Sequence, residues 1–311
     1  LWVIKWKPLN EKELAAEKAK GSSKTRKIKA RLTSRGDQDK AKHFKETESP
    51  TADKVGQRIV CHNAAQRHHY VESWDVGNAF FRSEPFGPND LKVYMVPPPE
   101  LAIPGKLMRL LLAVYGLVDA PFRFHKTLLK VLKENGYEPS VQTCIGSFYP
   151  EDWSVNKGEA QEKDMVTMST HVDDLLAEGS QLRLDTIRKK LEKHLGDMTI
   201  QSKEFVHVGI EICQDQKTFT ITHNQKRFAD SLELIDVAAG RKRQTSAEVT
   251  PAELEELRSR VGMLSWLAIN TRPDLSREVS RLQSETLKAT IATIHSANKS
   301  IFKAKEFANA G

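Results

Sequence analysis

Residues 165–179 read M-V-T-M-S-T-H-V-D-D-L-L-A-E-G. Two short apolar-alternating runs, rich in β-branched residues, flank the adjacent carboxylates Asp173 and Asp174. That pattern predicts a strand, a tight turn and a second strand. The strands would carry apolar side chains into a core, and the turn would hold two like charges at a rigid edge. Such a pair repels itself unless a cation sits on it. A solvated hairpin turn explains a lone Asp-Asp equally well, so a second acidic strand is needed to constrain the fold further.

Residues 71–82, V-E-S-W-D-V-G-N-A-F-F-R, supply one: a strand that gives way to a turn and a short helix, with Asp75 at the changeover. Alternation points Asp75, Asp173 and Asp174 the same way. Three carboxylates brought together suit two divalent ions roughly 3.5–4 Å apart, one activating an attacking hydroxyl and one stabilising the leaving oxygen. Hard oxygen ligands without Cys or His favour Mg²⁺, with Mn²⁺ as the alternate, over zinc. That chemistry serves in-line phosphoryl or nucleotidyl transfer.

At 311 residues, 39% hydrophobic and 29% charged, the chain has room for one large or two modest domains with proper cores. The most apolar run, 107–118, is broken by Arg109 and too short to span a bilayer, so no membrane partner is expected. No basic-then-apolar leader follows Leu1, so the expectation is a cytoplasmic piece of something longer, with a particle or the nucleus as alternate locations. Cys61, Cys144 and Cys213 give no C-x-x-C, which predicts free thiols in a reducing compartment. Cys61-His62 with His68-His69 matches no zinc spacing.

Charge is unevenly placed. The whole excess of +7 lies in residues 1–50, which hold fourteen Lys/Arg against seven Asp/Glu. One-sided basicity suits a polyanionic partner, although a basic tail that only aids solubility would look the same. Within that stretch residues 1–7 and 25–33 alternate as strands around a charged connection. They predict a hairpin with Lys27, Lys29 and Arg31 on one side, where phosphates bind. Further on, the pattern predicts a helix over 54–70, a strand over 91–96 and a helix from Ala120-Pro121 to Asn135-Gly136 with Phe124, Leu128, Val131 and Leu132 buried. A polar loop over 151–164 precedes the acidic hairpin, and Ser180 starts a helix that Gly196 ends. Residues 198–212 contain F-V-H-V-G-I-E-I, which reads as a strand pair, with 219–222 pairing back as a hairpin. The remainder is mostly helical, opened by a capping box at Thr250-Pro251-Ala252-Glu253 and continued by two helical stretches to Ala310.

Several words then stand in one order. Lys29-Ala30-Arg31-Leu32 and Ser49-Pro50 come first, followed by Trp74-Asp75-Val76-Gly77-Asn78-Ala79-Phe80-Phe81 and Val93-Tyr94-Met95. Tyr115-Gly116-Leu117 with Ala120-Pro121 comes next, then His171-Val172-Asp173-Asp174, Val208-Gly209-Ile210-Glu211-Ile212 and Thr271-Arg272-Pro273-Asp274. In that order and spacing the chain resembles the reverse transcriptase of copia-type LTR retrotransposons over nearly its whole length. The resemblance implies an α+β right-hand polymerase: fingers, an RRM-like palm with an antiparallel sheet and helices, and a helical thumb. Fingers and palm would interleave over 1–212, with thumb and C-terminal helices over 213–311. It implies Asp75 and Asp173 as principal metal ligands, completed by Asp174, with two Mg²⁺ as cofactor. It places Lys29 and Arg31 at the incoming triphosphate, one residue of register leaving open which points inward. Phe80 would lie under the incoming sugar and exclude a ribose 2′-OH, unless it is plain core. Val208 and Gly209 resemble the turn that grips the primer end, and Tyr115-Gly116 fall with the primer and template contacts. The partners implied are an RNA or DNA template-primer and dNTPs, with the integrase and ribonuclease H of the polyprotein outside this chain.

Three departures stand out. His171 replaces the family's Tyr, Val118-Asp119 replaces Lys-Gln and adds an acid near the template path, and Phe81-Arg82-Ser83 replaces Phe-Leu-Asn-Gly. They leave a rival in view, a catalytically decayed remnant that only binds nucleic acid. A different palm nucleotidyltransferase fits the flanking words less well.

Overall fold

The computed structural model describes residues 2–9, 11–52, 54–140, 144–150 and 164–306. The expected polar loop therefore lies, apart from Asp164, outside the described residues, as do the last residues of the expected C-terminal helix. Helices and antiparallel strands alternate along the chain, an α+β protein. The chain divides into two compact units. One holds Leu1–Thr51, Asp75–Glu138 and Asp185–Thr199; the other holds Ala52–Trp74, Pro139–Leu184 and Ile200–Gly311. Among the described residues no helix is long and apolar enough to cross a membrane.

The first unit opens with β1 (Trp2–Pro8) and β2 (Arg26–Leu32), joined through α1 (Glu11–Ala19). Their antiparallel register sets Trp2 opposite Leu32, Ile4 opposite Ala30, Lys5 opposite Lys29 and Lys7 opposite Lys27. Directly opposed residues share a face. One face therefore carries Trp2, Ile4, Trp6 and Ile28, and the other carries Lys5, Lys7, Lys27, Lys29 and Arg31. Neither face is covered: Ile4 and Trp6 are each 66% exposed.

The core of this unit gathers Leu110, Ala113, Leu117 and Ala120, with Phe80, Phe86, Val93 and Met95 packed against it. The expected strand over 91–96 shrinks to β4 (Tyr94–Met95), paired with β5 (Met108–Arg109). Three consecutive prolines after Val96 offer no ladder donors and end it at once. Pro121 occupies the first turn of α3 (Ala120–Glu134), whose stripe Phe124, Leu128, Val131 and Leu132 is buried as the periodicity requires.

In the second unit α2 (Lys54–Arg67) packs on β8 (Val166–His171) and β9 (Asp174–Gly179). The six-stranded sheet runs β10-β3-β9-β8-β7-β6, with β3 at Tyr70–Val76, β6 at Tyr137–Pro139, β7 at Ile145–Phe148 and β10 at Met198–Ser202. Both β8 and β9 are buried along nearly their whole length, so the polar alternates need internal partners. Glu178 finds them in Arg67 at 3.0 Å and His69 at 2.6 Å, and Thr167 accepts from Asn63. The polar alternates of these strands thus lie on a face closed by α2.

The strand pair expected within 198–212 forms, preceded by one further strand. Lys203 takes a positive φ and separates β10, which joins the large sheet. The next strands, β11 (Glu204–His207), β12 (Ile210–Gln214) and β13 (Ile221–Asn224), form a sheet of their own. Cys61, Val71, Leu176, Phe205 and Ile212 share one core between α2 and these strands. The helix α4 (Gln181–Leu195) falls mostly in the first unit; in the second, a short α5 (Lys226–Ser231) precedes three longer helices that close the unit. These are α6 (Pro251–Asn270), α7 (Ser276–Glu285) and α8 (Ile291–Glu306), around Leu257, Leu264, Leu282, Ile294 and Ile301. The expected capping box forms at Thr250 and Glu253.

Candidate active site

Asp75 is the one exposed residue of β3, whose other positions are buried or half-buried. Phe80 follows it on a short 3₁₀ turn (Ala79–Arg82) entered through Asn78 in the left-handed region. Its half-buried ring meets Tyr115 at a centroid distance of 4.8 Å and Phe124 at 6.5 Å. Arg31 lays its guanidinium over the same Tyr115 ring, 4.6 Å from the centroid, a cation–π contact. Lys29 and Arg31, two apart on β2, face the same side, and both are exposed. Burial, then Arg31 and Lys7, pull the Lys29 ammonium below its ordinary pKa, while Asp75 pulls the other way. Lys29 is therefore within electrostatic reach of Asp75.

Gly116 holds this arrangement by its backbone. Ser34 donates its N–H to the Tyr115 carbonyl at 2.8 Å, and Gly36 donates to the Gly116 carbonyl at 3.0 Å. A Cβ on Gly36 would strike the Gly116 carbonyl, and one on Gly116, where φ is +92°, would strike the Ser34 carbonyl. Two glycines let the chain after β2 lie directly against the 115–116 loop.

Asp119 does not present an acid to solvent, which corrects the expectation of an added charge at a template path. It is 2% exposed and bound to Arg123 at 2.7 Å and Lys45 at 3.7 Å. Arg123 also reaches Asp90 at 3.2 Å and lies over the Phe86 ring, and Lys45 reaches Asp39 at 2.7 Å. The departure from Lys-Gln supplies the buried centre of an ion network that ties three loops to the start of α3.

In the second unit His171 pairs with Asp174, leaving Val172-Asp173 as a two-residue turn between β8 and β9. Val172 has φ +56°. A β-branched residue there costs about 1–3 kcal/mol and persists only where its surroundings fix it. Two strands closed on both faces do so, and the turn presents Asp173 and Asp174 half-exposed at the sheet's end.

The β11–β12 turn is also built from left-handed residues, Val208 at φ +47° and Gly209 at +76°, the type that matches hairpin twist. Gln225, 2% exposed, donates to the Gly209 carbonyl at 3.4 Å and accepts from Thr271 at 3.0 Å. The Trp266 indole lies beside Gly209, 3.6 Å from where a Cβ would stand. On the other side His207 Nδ1 meets Ser73 Oγ at 3.0 Å. Burial, reinforced by His171, pushes the His207 imidazole down to about 4, so it is neutral at ordinary pH. Gln225, Trp266, Ser73 and His207 carried no sequence signal, since an isolated buried polar residue has no period.

The structure thus places Lys29, Arg31, Asp75, Phe80, Tyr115 and Gly116 in one unit and Asp173, Asp174, Val208 and Gly209 in the other. Among the described residues no group of three or more His, Cys, Asp or Glu side chains is assembled as a metal cage. The donors present do fit magnesium in kind: hard carboxylate oxygens on strand ends, with no thiolate or imidazole required.

Residues 4–239 match the family model described as reverse transcriptase (RNA-dependent DNA polymerase). Among solved structures the chain is similar to a foamy viral protease-reverse transcriptase bound to double-stranded DNA, at 14% identity and a TM-score of 0.41. That match covers 91% of this chain and 42% of the viral one, so the chain spans less than half the length of that relative. The family model takes in most of the chain, including both acidic strand ends and the β11–β12 turn, and on that ground the chain belongs to the reverse transcriptase (RNA-dependent DNA polymerase) family.

Proposed function

We propose that this chain is the polymerase part of a copia-type retrotransposon polyprotein, extending a primer 3′-OH with dNTPs on an RNA or DNA template. The observation that carries the reading is the cluster in the first unit: Arg31 stacked on Tyr115, Phe80 on the same ring, and Lys29 within reach of Asp75. Two cations on one face of β2, beside an aromatic platform and an acid, match the parts of a nucleoside triphosphate. In this reading Lys29 and Arg31 hold the phosphates, and Phe80 fills the space a ribose 2′-OH needs. The Val208-Gly209 turn offers main chain to the primer end. Asp75, Asp173 and Asp174 would hold the divalent ions, Mg²⁺ or Mn²⁺. Bound there, the ions lower the pKa of the attacking hydroxyl and stabilise the leaving oxygen. The proposal carries with it fingers and palm over 1–212, a thumb over 213–311, an integrase and a ribonuclease H elsewhere in the polyprotein, and a cytoplasmic or particle-bound location.

Primer extension of oligo(dT) on poly(rA), with and without Mg²⁺, tests it. Asp75→Asn and Asp173→Asn are expected to lower the extension rate by about 10³-fold or more, leaving template-primer Kd within about threefold. Extension retained in both variants removes the metal assignment, and binding without any extension by the unaltered chain marks a decayed remnant. Phe80→Ala is expected to raise ribonucleotide incorporation by roughly 10- to 100-fold relative to dNTP. An unchanged ratio returns Phe80 to the core.

A further inference from the structure

Ser73 and His207 meet inside the second unit from different elements. Ser73 lies on β3, two residues before Asp75 and on the same side of the strand. His207 ends β11, directly ahead of the Val208-Gly209 turn. They are 6% and 1% exposed, and their hydrogen bond is 3.0 Å long. As packing, the pair is a poor choice. Burying a hydroxyl and an imidazole costs desolvation that one hydrogen bond only offsets, and an apolar pair of the same shape does as well. His207 Nε2 is moreover buried without a partner among the described residues. What the bond adds is register: it fixes where β11 lies against β3, which apolar contact leaves loose.

The β11–β12 turn is therefore held from two sides, by the Gln225 amide on its carbonyl and by the His207 imidazole at its entry. We propose that His207 is a positioning residue for nucleotidyl transfer, a clasp that through Ser73 on β3 sets where the primer-holding turn Val208-Gly209 lies within the second unit. The role rests on the polymerase reading above. In-line attack tolerates little error, since displacement of a reacting atom by about 1 Å costs roughly 10²-fold. Losing the clasp therefore slows the chemical step while leaving the grip on nucleic acid intact.

The test uses the full chain with Ser73→Ala, His207→Phe, both together, and Ser73→Thr, which keeps the hydroxyl. Thermal midpoints establish which variants fold, and Ser73→Ala, the smaller change, stands if His207→Phe does not. Hydrogen exchange at the His207 and Ile210 amides, the pair that closes the turn, reads the clasp without reference to activity. Single-nucleotide primer extension reads its use. Each single variant is expected to exchange about tenfold faster at the turn and to lose roughly 10- to 100-fold in kcat, with template-primer Kd within about twofold. The double variant should be no slower than the worse single one, because both remove one bond, and Ser73→Thr should restore most of the rate. Unchanged exchange in the single variants overturns the clasp, and losses that multiply in the double variant overturn its unity. If the unaltered chain extends primers and the variants match it, the positioning role alone falls. If the unaltered chain binds but extends nothing, the polymerase reading falls and takes this role with it.

Discussion

The β1–β2 and β8–β9 hairpins are built from the same kind of ladder and differ in everything around it. β1–β2 carries cations on one face and Trp2, Ile4, Trp6 and Ile28 on the other, and both faces are open to water. β8–β9 is closed on both sides, down to Glu178 at 0% exposure, and opens only at the turn bearing Asp173 and Asp174. On the proposed reading, the difference follows from what each end would do. Carboxylates that share a metal need fixed positions against their own repulsion, so their strands need a core and can support a strained Val172. Cations that meet a flexible triphosphate work at the end of long side chains and tolerate a ladder with little burial behind it.

The comparison breaks most visibly in stability. Leu176, fully buried on β9, loses packing on all sides in Leu176→Ala, expected to destabilise by about 2–5 kcal/mol. Ile4→Ala, at a 66% exposed position of β1, should stay within about 0.5 kcal/mol. Denaturant melts of the two variants check this, and equal losses would mean that the basic hairpin is as deeply supported as the acidic one.

Next in size is the backbone contact on which the first unit's cluster depends. Gly116→Ala forces an L side chain into φ +92° and against the Ser34 carbonyl, an expected cost of about 1–3 kcal/mol. Because Tyr115 precedes it, the KM for dNTP should rise together with the loss of stability. A melt that falls while KM stays put would detach the Tyr115–Arg31 stack from nucleotide binding.

Much of this molecule was legible in its letters, and the illegible part has a common cause. The acidic turn, the stripe of α3 and the capping box before α6 each rest on local periodicity or local hydrogen bonds, which sequence carries directly. The joining of β10 to β3 and the ion network around Asp119 depend on partners far along the chain. Asp119 is instructive. An acid in a polar-looking word reads as surface charge until Arg123, Asp90, Lys45 and Asp39 are seen around it. Arg272 is similar: its buried guanidinium binds Asp274 at 2.8 Å and the Ala304 carbonyl at 2.8 Å, so Thr-Arg-Pro-Asp is a staple for the end of α8 as well as a family word. Of the candidate site, residue types and strand ends could be read, but the clasp through Ser73 and His207 could not.

The smallest expected effect separates the open hairpin from the closed one by pH. Lys29 titrates below an ordinary lysine because of partial burial and the cations Arg31 and Lys7. Its ammonium is fully present well below that lowered pKa and is lost as pH rises through it. Binding of a triphosphate should therefore weaken on the alkaline side, at a lower pH than an unperturbed lysine would allow. Folding runs the other way. A cation whose folded pKa lies below its unfolded one binds fewer protons when folded, so its contribution to stability rises with pH through the same interval. Lys29→Arg keeps a charge that does not titrate there and should flatten both trends while preserving the low-pH KM. Triphosphate affinity and stability that fall together as pH rises in the unaltered chain, or an alkaline limb that survives Lys29→Arg, would place the titrating group elsewhere and return Lys29 to the solvated face of β2.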